Sequence, residues 1–462
     1  MTETGRSLTG GWRPAPAARR VAYPTARLHV GTGVKRSGAL LACMLVAACA
    51  GPQSSKADQS ASPAPSTVAP SVSPNASATA APSPSPLSAE CPGFTVTTVG
   101  AVSASTPLFA VLETRRAGAK ESEYSGSHDT VTLAGFDGYA HVKVSFAPRS
   151  VPDMSADGAV PMLQPEAVLA ASAVYVIDGS GVVCRIDRYG TSQEVTTFPI
   201  TSAHQAVSFA VSPNGAQLMA AVLTYPVFSP GLTAYQPVIS GQWELSLEVA
   251  AAGGSAKVVS HLEKAWSSGP FDQNNIVMAG WDGADPIGVV GSFVGGAPGI
   301  DGDRWPGDLS VHAVHLGLDG AIGASLGPNG AAIGPNGCGL VSLGPAGAVL
   351  CETGGGMGIR PQVDVGTAAG QVLWTSPSSI FASGGVSLSP DESLMAMDGW
   401  LVGKSGSTVA LPQGFRPRGW LDDQTVIGFA TSTPTSSIGV VRLSSPAVAD
   451  NWGFSGQFVG VL

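Results

Sequence analysis

Two stretches of the chain share one pattern: Val207-Ser-Phe-Ala-Val-Ser-Pro-Asn-Gly-Ala-Gln-Leu-Met-Ala220 and Val386-Ser-Leu-Ser-Pro-Asp-Glu-Ser-Leu-Met-Ala396. In each, a short apolar run leads into Ser-Pro-Asn or Ser-Pro-Asp, and a second apolar run follows. Proline with Asn or Asp favours a tight turn, so both stretches predict strand, turn and strand. The two prolines are 177 positions apart, and this distance fits roughly four repeats of about 44 residues.

A second repeat begins with Gly-Trp: Gly280-Trp-Asp-Gly-Ala-Asp-Pro-Ile-Gly-Val-Val290 and Gly419-Trp-Leu-Asp-Asp-Gln-Thr-Val-Ile-Gly-Phe429. The two tryptophans are 139 positions apart, which fits roughly three repeats of about 46 residues. Turn residues interrupt short apolar runs throughout this part of the chain, as in all-β proteins. Helical spacing occurs only at 166–176 and 255–266. The first of these also fits a hairpin with strands at 173–178 and 182–186.

These features resemble the TolB-type and WD-repeat-like β-propellers, whose blades carry a Ser-Pro-Asp-Gly turn between two strands. The resemblance covers residues 105–462 and implies six to eight blades, with seven favoured, that start near 105, 163, 207, 277, 339, 385 and 418. We expect residues 94–99 to pair with the last blade and close the ring, which protects strand edges. Asp391-Glu392 departs from the Asp-Gly of the family turn. A β-sandwich is the alternative all-β fold.

The N-terminal residues predict export. Seven basic residues and one acid precede Cys49, and an apolar run from Ser37 to Ala48 leads directly into that cysteine. The run is too short to span a bilayer of roughly 30 Å. Val46-Ala-Ala-Cys49 resembles the bacterial lipobox, which implies lipidation at Cys49 and anchoring at the extracytoplasmic face of the cell membrane. An ordinary secretory signal cut nearby is the alternative.

Three segments follow from this interpretation. Residues 1–48 are predicted to be a lipoprotein signal peptide, and 91–462 to be the propeller domain. Residues 49–90 are rich in Ser, Pro and Ala, so we expect them to be a disordered tether. Without residues 1–48 the chain has 16 basic and 31 acidic side chains. This acidity argues against nucleic acid as a partner, and we expect a monomer.

Four cysteines remain beyond Cys49: Cys91, Cys184, Cys338 and Cys351. An even number in an oxidising compartment is consistent with two disulfides. Cys338 and Cys351 flank a predicted strand, Gly-Pro turn and strand, which would bring them nearly opposite each other. Cys91 would then pair with Cys184. Four buried thiols are the alternative.

Few residues suggest chemistry. Asp301, Asp303 and Asp308 lie in a Gly-rich stretch and are the candidate ligands for calcium, although they lack the EF-hand spacing, and we expect no other cofactor. His312 and His315 have the spacing of a metal-ligand pair, but in a strand they would point to opposite faces. Gly323-Ala-Ser-Leu-Gly327 matches a hydrolase nucleophile elbow without the helix that the elbow requires.

The favoured function is a binding module of the cell envelope that recognises a protein or a glycan. Trp266, Trp305 and Trp374 lie beside Gly, Pro or Ser and are the candidate surface anchors; packing between blades is the alternative for each of them. The alternative is an enzyme on a propeller fold, such as a quinoprotein-like dehydrogenase, a lactonase or a hydrolase. A solute-binding lipoprotein is less consistent with the sequence, because that class needs alternating strands and helices.

Overall fold

A computed structural model describes sixteen segments of the chain: residues 90–113, 128–148, 167–202, 205–224, 227–229, 238–240, 242–265, 275–283, 285–291, 312–325, 339–344, 347–353, 362–367, 371–377, 386–430 and 437–462. These residues form thirty-one β-strands and no α-helix. The strands form seven antiparallel blades and one separate hairpin. The protein is therefore a seven-bladed β-propeller, as the sequence predicts.

The first three blades include the N-terminal strands. Blade 1 contains β1 (Thr95–Thr98), β2 (Leu108–Glu113), β3 (Asp129–Gly135), β4 (Ala140–Phe146) and the last strand of the chain, β31 (Gln457–Val461). Blade 2 contains β5 (Ala167–Ala170), β6 (Ala173–Ile177), β7 (Val182–Ile186) and β8 (Ser192–Thr197). Blade 3 contains β9 (Gln205–Val211), β10 (Gln217–Thr224), β13 (Gln242–Ala251) and β14 (Lys257–Ala265), with the separate hairpin β11 (Val227–Ser229) and β12 (Val238–Ser240) inserted.

The other four blades are four-stranded meanders. Blade 4 contains β15 (Asn275–Asp282), β16 (Asp285–Gly291), β17 (His312–Leu316) and β18 (Ile322–Ser325). Blade 5 contains β19 (Gly339–Leu343), β20 (Ala348–Thr353), β21 (Gln362–Thr367) and β22 (Val372–Thr375). Blade 6 contains β23 (Ser387–Leu388), β24 (Leu394–Met397), β25 (Trp400–Gly403) and β26 (Thr408–Ala410), and blade 7 contains β27 (Arg416–Asp422), β28 (Thr425–Phe429), β29 (Ser437–Arg442) and β30 (Asp450–Ser455).

The core lies between the blades. The buried side chains of the described residues form seven apolar clusters, and each cluster joins two neighbouring blades. One edge strand of each blade faces the centre of the ring. Six of these inner strands contact one another in sequence around the centre: β23, β27, β31, β5, β9 and β15. Both faces of a blade are therefore covered, which explains why its strands are continuously apolar rather than alternating.

The C-terminal strand closes the ring. In β31, Val461 pairs with Phe109 of β2 and Gln457 pairs with Leu112. The prediction that residues 94–99 close the ring with the last blade was wrong: β1 pairs with β4 at the outer edge of blade 1. The sequence of β1 is Thr-Val-Thr-Thr, and so this strand lacks the apolar faces that a position beside the centre requires.

The two Ser-Pro stretches form the first turn of blades 3 and 6. The Ser212 hydroxyl accepts a hydrogen bond from the Gln217 N–H at 2.9 Å, and the Ser389 hydroxyl accepts one from the Leu394 N–H at 3.0 Å. The two turns are three blades apart, so the estimate of four repeats between them was wrong. Blade 3 contains the inserted hairpin of β11 and β12, which lengthens this part of the chain.

The Gly-Trp stretches also occupy equivalent positions, at the ends of β15 and β27. Trp281 packs against the cluster between blades 3 and 4, and Trp420 lies in the cluster between blades 6 and 7. Each tryptophan thus seals its blade against the preceding one. The helical alternatives were wrong, since 167–170 and 173–177 are strands of one hairpin and 257–265 is β14.

Candidate functional site

Seven of the predicted site residues lie outside the described residues: Cys49, Cys338, Asp301, Asp303, Asp308, Trp266 and Trp305. Ser325 is the last described residue of β18 and pairs with Val314. In the part of the chain that the structure describes, no three His, Cys, Asp or Glu side chains are arranged to hold a metal ion. No helix in that part is long and apolar enough to span a membrane.

Trp374 is not a surface anchor but packs between blades, the second of the two alternatives that the sequence left open. It is only 8% exposed and lies in the cluster between blades 5 and 6. Its neighbours Gly, Pro and Ser suggested a loop, but Trp374 lies in β22 opposite Val365. The side chain therefore stabilises the contact between two blades and is not available to a partner.

His315 contacts a carboxylate. Its Nε2 atom lies 3.1 Å from Oδ2 of Asp282. Both side chains are partly exposed, and Asp282 stands at the end of β15, where the chain turns into β16. The arrangement orients one imidazole ring, which is one of the elements that general acid–base catalysis uses.

Cys91 and Cys184 form a disulfide with a Cα to Cα distance of 6.1 Å. This bond joins the segment before β1 to β7 of blade 2, and both cysteines lie in the cluster between blades 1 and 2. Cys351 is also disulfide-bonded. Because Cys338 lies outside the described residues, its pairing with Cys351 stays a prediction.

Four exposed apolar side chains lie on blade 1 and on the adjacent turn of blade 2. They are Val96, Val99, Tyr139 and Tyr189, and we call them together the tyrosine patch. Tyr139 is 71% exposed and Tyr189 is 49% exposed. The side chain of Val96 lies 3.1 Å from the Cβ position of Gly190, and the Val99 N–H donates to the His141 carbonyl oxygen at 2.7 Å. These contacts place β1 against the turn of Tyr189 and against β4, the strand that follows Tyr139.

Two similar turns hold the tyrosines at the surface. Each joins the third and fourth strands of the meander in its blade, and each has an aspartate two residues before the tyrosine. Asp137 Oδ1 accepts a hydrogen bond from the Tyr139 N–H at 3.1 Å, and Asp187 Oδ1 accepts one from the Tyr189 N–H at 2.9 Å. The carboxylates thus fix the backbone of each turn, and the aromatic rings project outward from fixed positions.

Glycines with left-handed backbone complete these turns. Gly138 has φ of +82° and Gly190 has φ of +84°, values that other residues adopt only at a cost. A side chain at Gly190 would also overlap Val142, whose Cγ1 atom lies 2.5 Å from the Cβ position. The turn that carries Tyr189 is therefore packed tightly against blade 1.

Two basic side chains border the tyrosine patch. Lys143 is exposed on β4, directly opposite Thr97 of β1. The Arg188 guanidinium donates a hydrogen bond to the Thr106 carbonyl oxygen, which ties the second tyrosine turn to the segment that follows β1. Rigid tyrosines with a cationic border are typical of surfaces that bind protein or other polar partners.

Comparisons with solved structures find the propeller fold. An oligogalacturonate lyase in complex with manganese matches 73% of this chain and 93% of its own length at 11% identity, with a TM-score of 0.40. The C-terminal WD40 domain of Sif2 matches 66% of this chain and 76% of its own at 12% identity, with a TM-score of 0.33. TolB from Acinetobacter baumannii matches 77% of this chain and 65% of its own length at 11% identity, with a TM-score of 0.30.

No known protein family matches the chain, and no characterised protein matches it by sequence. The class of protein is therefore defined by its fold: the chain is a seven-bladed β-propeller. The structures that are similar to it include TolB and a WD40 domain. At these identities the likeness concerns the fold alone.

Proposed function

We propose that this protein is a lipid-anchored, extracytoplasmic propeller that binds a protein or glycan of the cell envelope through the tyrosine patch. The basic and apolar segments before Cys49 support the anchor. The observation that carries the binding role is the pair of exposed tyrosines on neighbouring, rigid turns. A rigid aromatic side chain loses little conformational entropy when it is buried in an interface, so it contributes strongly to affinity.

The anchor is tested by replacing Cys49 with alanine. Cells are grown with labelled palmitate, and the protein is followed through fractionation into membrane and soluble material. We expect the wild-type chain to carry label and to sediment with membranes, while Cys49→Ala loses both properties. Incorporation of label into the Cys49→Ala protein would contradict lipidation at this residue.

The binding surface is tested with the double variant Tyr139→Ala/Tyr189→Ala and purified envelope material. We expect the variant to bind at least tenfold more weakly, because an aromatic anchor contributes on the order of 1 to 2 kcal/mol to an interface. Trp400→Ala is the matched control, since Trp400 is 40% exposed but belongs to blade 6. Equal loss of binding in both proteins would rule out a specific role for the tyrosine patch.

The nature of the partner is tested with two preparations. One is cell-wall glycan freed of protein, and the other is membrane protein solubilised in detergent. Binding that depends on the tyrosines is expected in one of the two preparations only. Tyrosine-independent binding in both would show that the tyrosine patch is not the contact surface.

A further inference from the structure

We propose that the Cys91–Cys184 disulfide docks β1 onto the propeller and thereby assembles the tyrosine patch. Docking of β1 is a property of the chain itself and is measurable without a partner. The consequence for binding rests on the proposed function. The two parts are therefore tested by separate measurements.

β1 has few contacts of its own that could hold it in place. It contains four residues, all of them exposed, and it pairs only with β4. The stacking of Phe94 on Phe146, with ring centroids 5.1 Å apart, is the main aromatic contact beside it. A short strand at an open edge gains little from burial, so without further restraint it separates readily from its neighbour.

Closure of the ring does not depend on β1. The innermost strand of blade 1 is β31, whose residues pair with β2. Leu462, the last residue of the sequence, donates its N–H to the Leu108 carbonyl oxygen at 2.8 Å. Loss of β1 would therefore leave seven blades of at least four strands each.

The disulfide lies where it restrains β1 most directly. Cys91 precedes Thr95 by only four positions, and its partner Cys184 lies in β7 of the neighbouring blade. The chain that precedes Cys91 is thus attached to blade 2 before it reaches β1. Any pull on that N-terminal segment is transmitted to β7 through the covalent bond, and the hydrogen bonds between β1 and β4 are spared.

β1 in turn provides half of the tyrosine patch and supports the other half. Val96 and Val99 belong to β1 and the residue after it. Val96 also packs against Gly190, the residue after Tyr189. If β1 leaves, two apolar side chains are lost from the patch, and the turn of Tyr189 loses one of the two side chains on which it rests.

The experiment compares Cys91→Ala with Cys351→Ala, both as full-length purified proteins. Cys351→Ala is the matched control because it removes a buried disulfide cysteine from blade 5. Amide hydrogen exchange is followed by mass spectrometry at a temperature well below the unfolding transition of each variant.

In Cys91→Ala we expect the amides of 95–98 to exchange at least a hundredfold faster than in the wild type. We expect those of 187–191 to exchange several-fold faster, while β2 and β31 keep their protection. Cys351→Ala should leave 95–98 and 187–191 unchanged. The affinity of Cys91→Ala for envelope material should fall to the level of Tyr139→Ala/Tyr189→Ala.

Three results would overturn the proposal. β1 could remain fully protected in Cys91→Ala, which would show that the disulfide is not needed for docking. Exchange in β2 and β31 could rise as much as in β1, which would show that the disulfide supports the whole ring. β1 could also be lost without any change at 187–191. If the wild-type protein binds no envelope material, the proposed function fails, whereas exchange in β1 still decides whether the disulfide docks it.

Discussion

Replacing Glu392 with glycine should stabilise the propeller. Glu392 occupies the position in the blade 6 turn that Gly215 occupies in the equivalent turn of blade 3. Its φ is +59°, and that of Gly215 is +71°. Both values lie in the left-handed region, where a side chain meets the following carbonyl oxygen. The glutamate is thus held in a strained backbone conformation by the turn around it.

The magnitude follows from two opposing effects. Relief of the left-handed strain contributes about 1 to 2 kcal/mol in favour of the folded state. The greater flexibility of glycine in the unfolded chain opposes this by about 0.5 to 1 kcal/mol. The net expected gain in the free energy of unfolding is about 1 kcal/mol. With a denaturant dependence on the order of 3 kcal/mol per molar urea, the midpoint should rise by about 0.3 M.

Glu392 is also close to other carboxylates, so the experiment needs a variant that changes only the charge. Asp391 donates its N–H to Asp423 Oδ1 at 3.0 Å, which places three acids on two neighbouring turns. Glu392→Gln removes the charge and keeps the strained φ. The difference between the urea midpoints of Glu392→Gly and Glu392→Gln, followed by tryptophan fluorescence, therefore measures the backbone effect.

Gly215→Ala provides the opposite test in the equivalent turn. A Cβ atom at Gly215 would lie 2.4 Å from Tyr175 Oη and 3.2 Å from the Cβ of Ala171. Strain and overlap then act together, and we expect a loss of more than 2 kcal/mol. A midpoint for Glu392→Gly at or below that of Glu392→Gln would refute the strain argument, and so would a neutral Gly215→Ala.

Four further substitutions test other contacts. Hydrogen bonds from the Ser389 hydroxyl and from Ser393 lower the pKa of Asp391. The ionised Asp391 therefore stabilises the fold above about pH 3.9, and this contribution is lost as the pH falls through the lowered pKa. Asp391→Asn should flatten the acid limb of a plot of urea midpoint against pH. Burial raises the pKa of Glu248. Ionisation of Glu248 therefore destabilises the fold as the pH rises from about 4.3 to the raised pKa. Glu248→Gln should remove this decline of the melting temperature with pH in thermal melts. Trp420→Ala should cost about 3 to 5 kcal/mol in urea unfolding. Trp400→Ala removes a partly exposed side chain from β25 and should cost less than about 1 kcal/mol.

The fold could be predicted because its signal is local and repeated. A Ser-Pro turn specifies its own hydrogen bonds: the Ser212 hydroxyl contacts Asn214 Oδ1, and the Ser389 hydroxyl contacts Asp391 Oδ1. Each of the seven predicted blade starts lies within four residues of an observed strand start. The closing strand was missed because the pairing of β31 with β2 joins segments some 350 residues apart, and no local pattern specifies such a contact.

A third repeat in the sequence was also missed. Glycine with positive φ ends the turn between the third and fourth strands in several blades, at Gly138, Gly190, Gly253, Gly320 and Gly406. In four of these turns the glycine N–H donates to the carbonyl oxygen three residues earlier. The sequence signal is a glycine that follows Asp, Tyr, Ser or Ala just before the last strand of a blade. It would have indicated Tyr139 and Tyr189 as turn residues.

The failure of Trp374 as an anchor follows from the architecture. In a propeller, each blade packs against a neighbour on both faces, and a large aromatic residue within a strand is therefore buried between blades. Trp374 and Trp420 both illustrate this. Aromatic side chains reach solvent mainly at the tips of turns and at the outer edges of blades, as Tyr139, Tyr189 and Trp400 do. Binding residues on such a fold should therefore be sought first in turns whose backbone is fixed by hydrogen bonds, because only there can an aromatic side chain be both exposed and rigid.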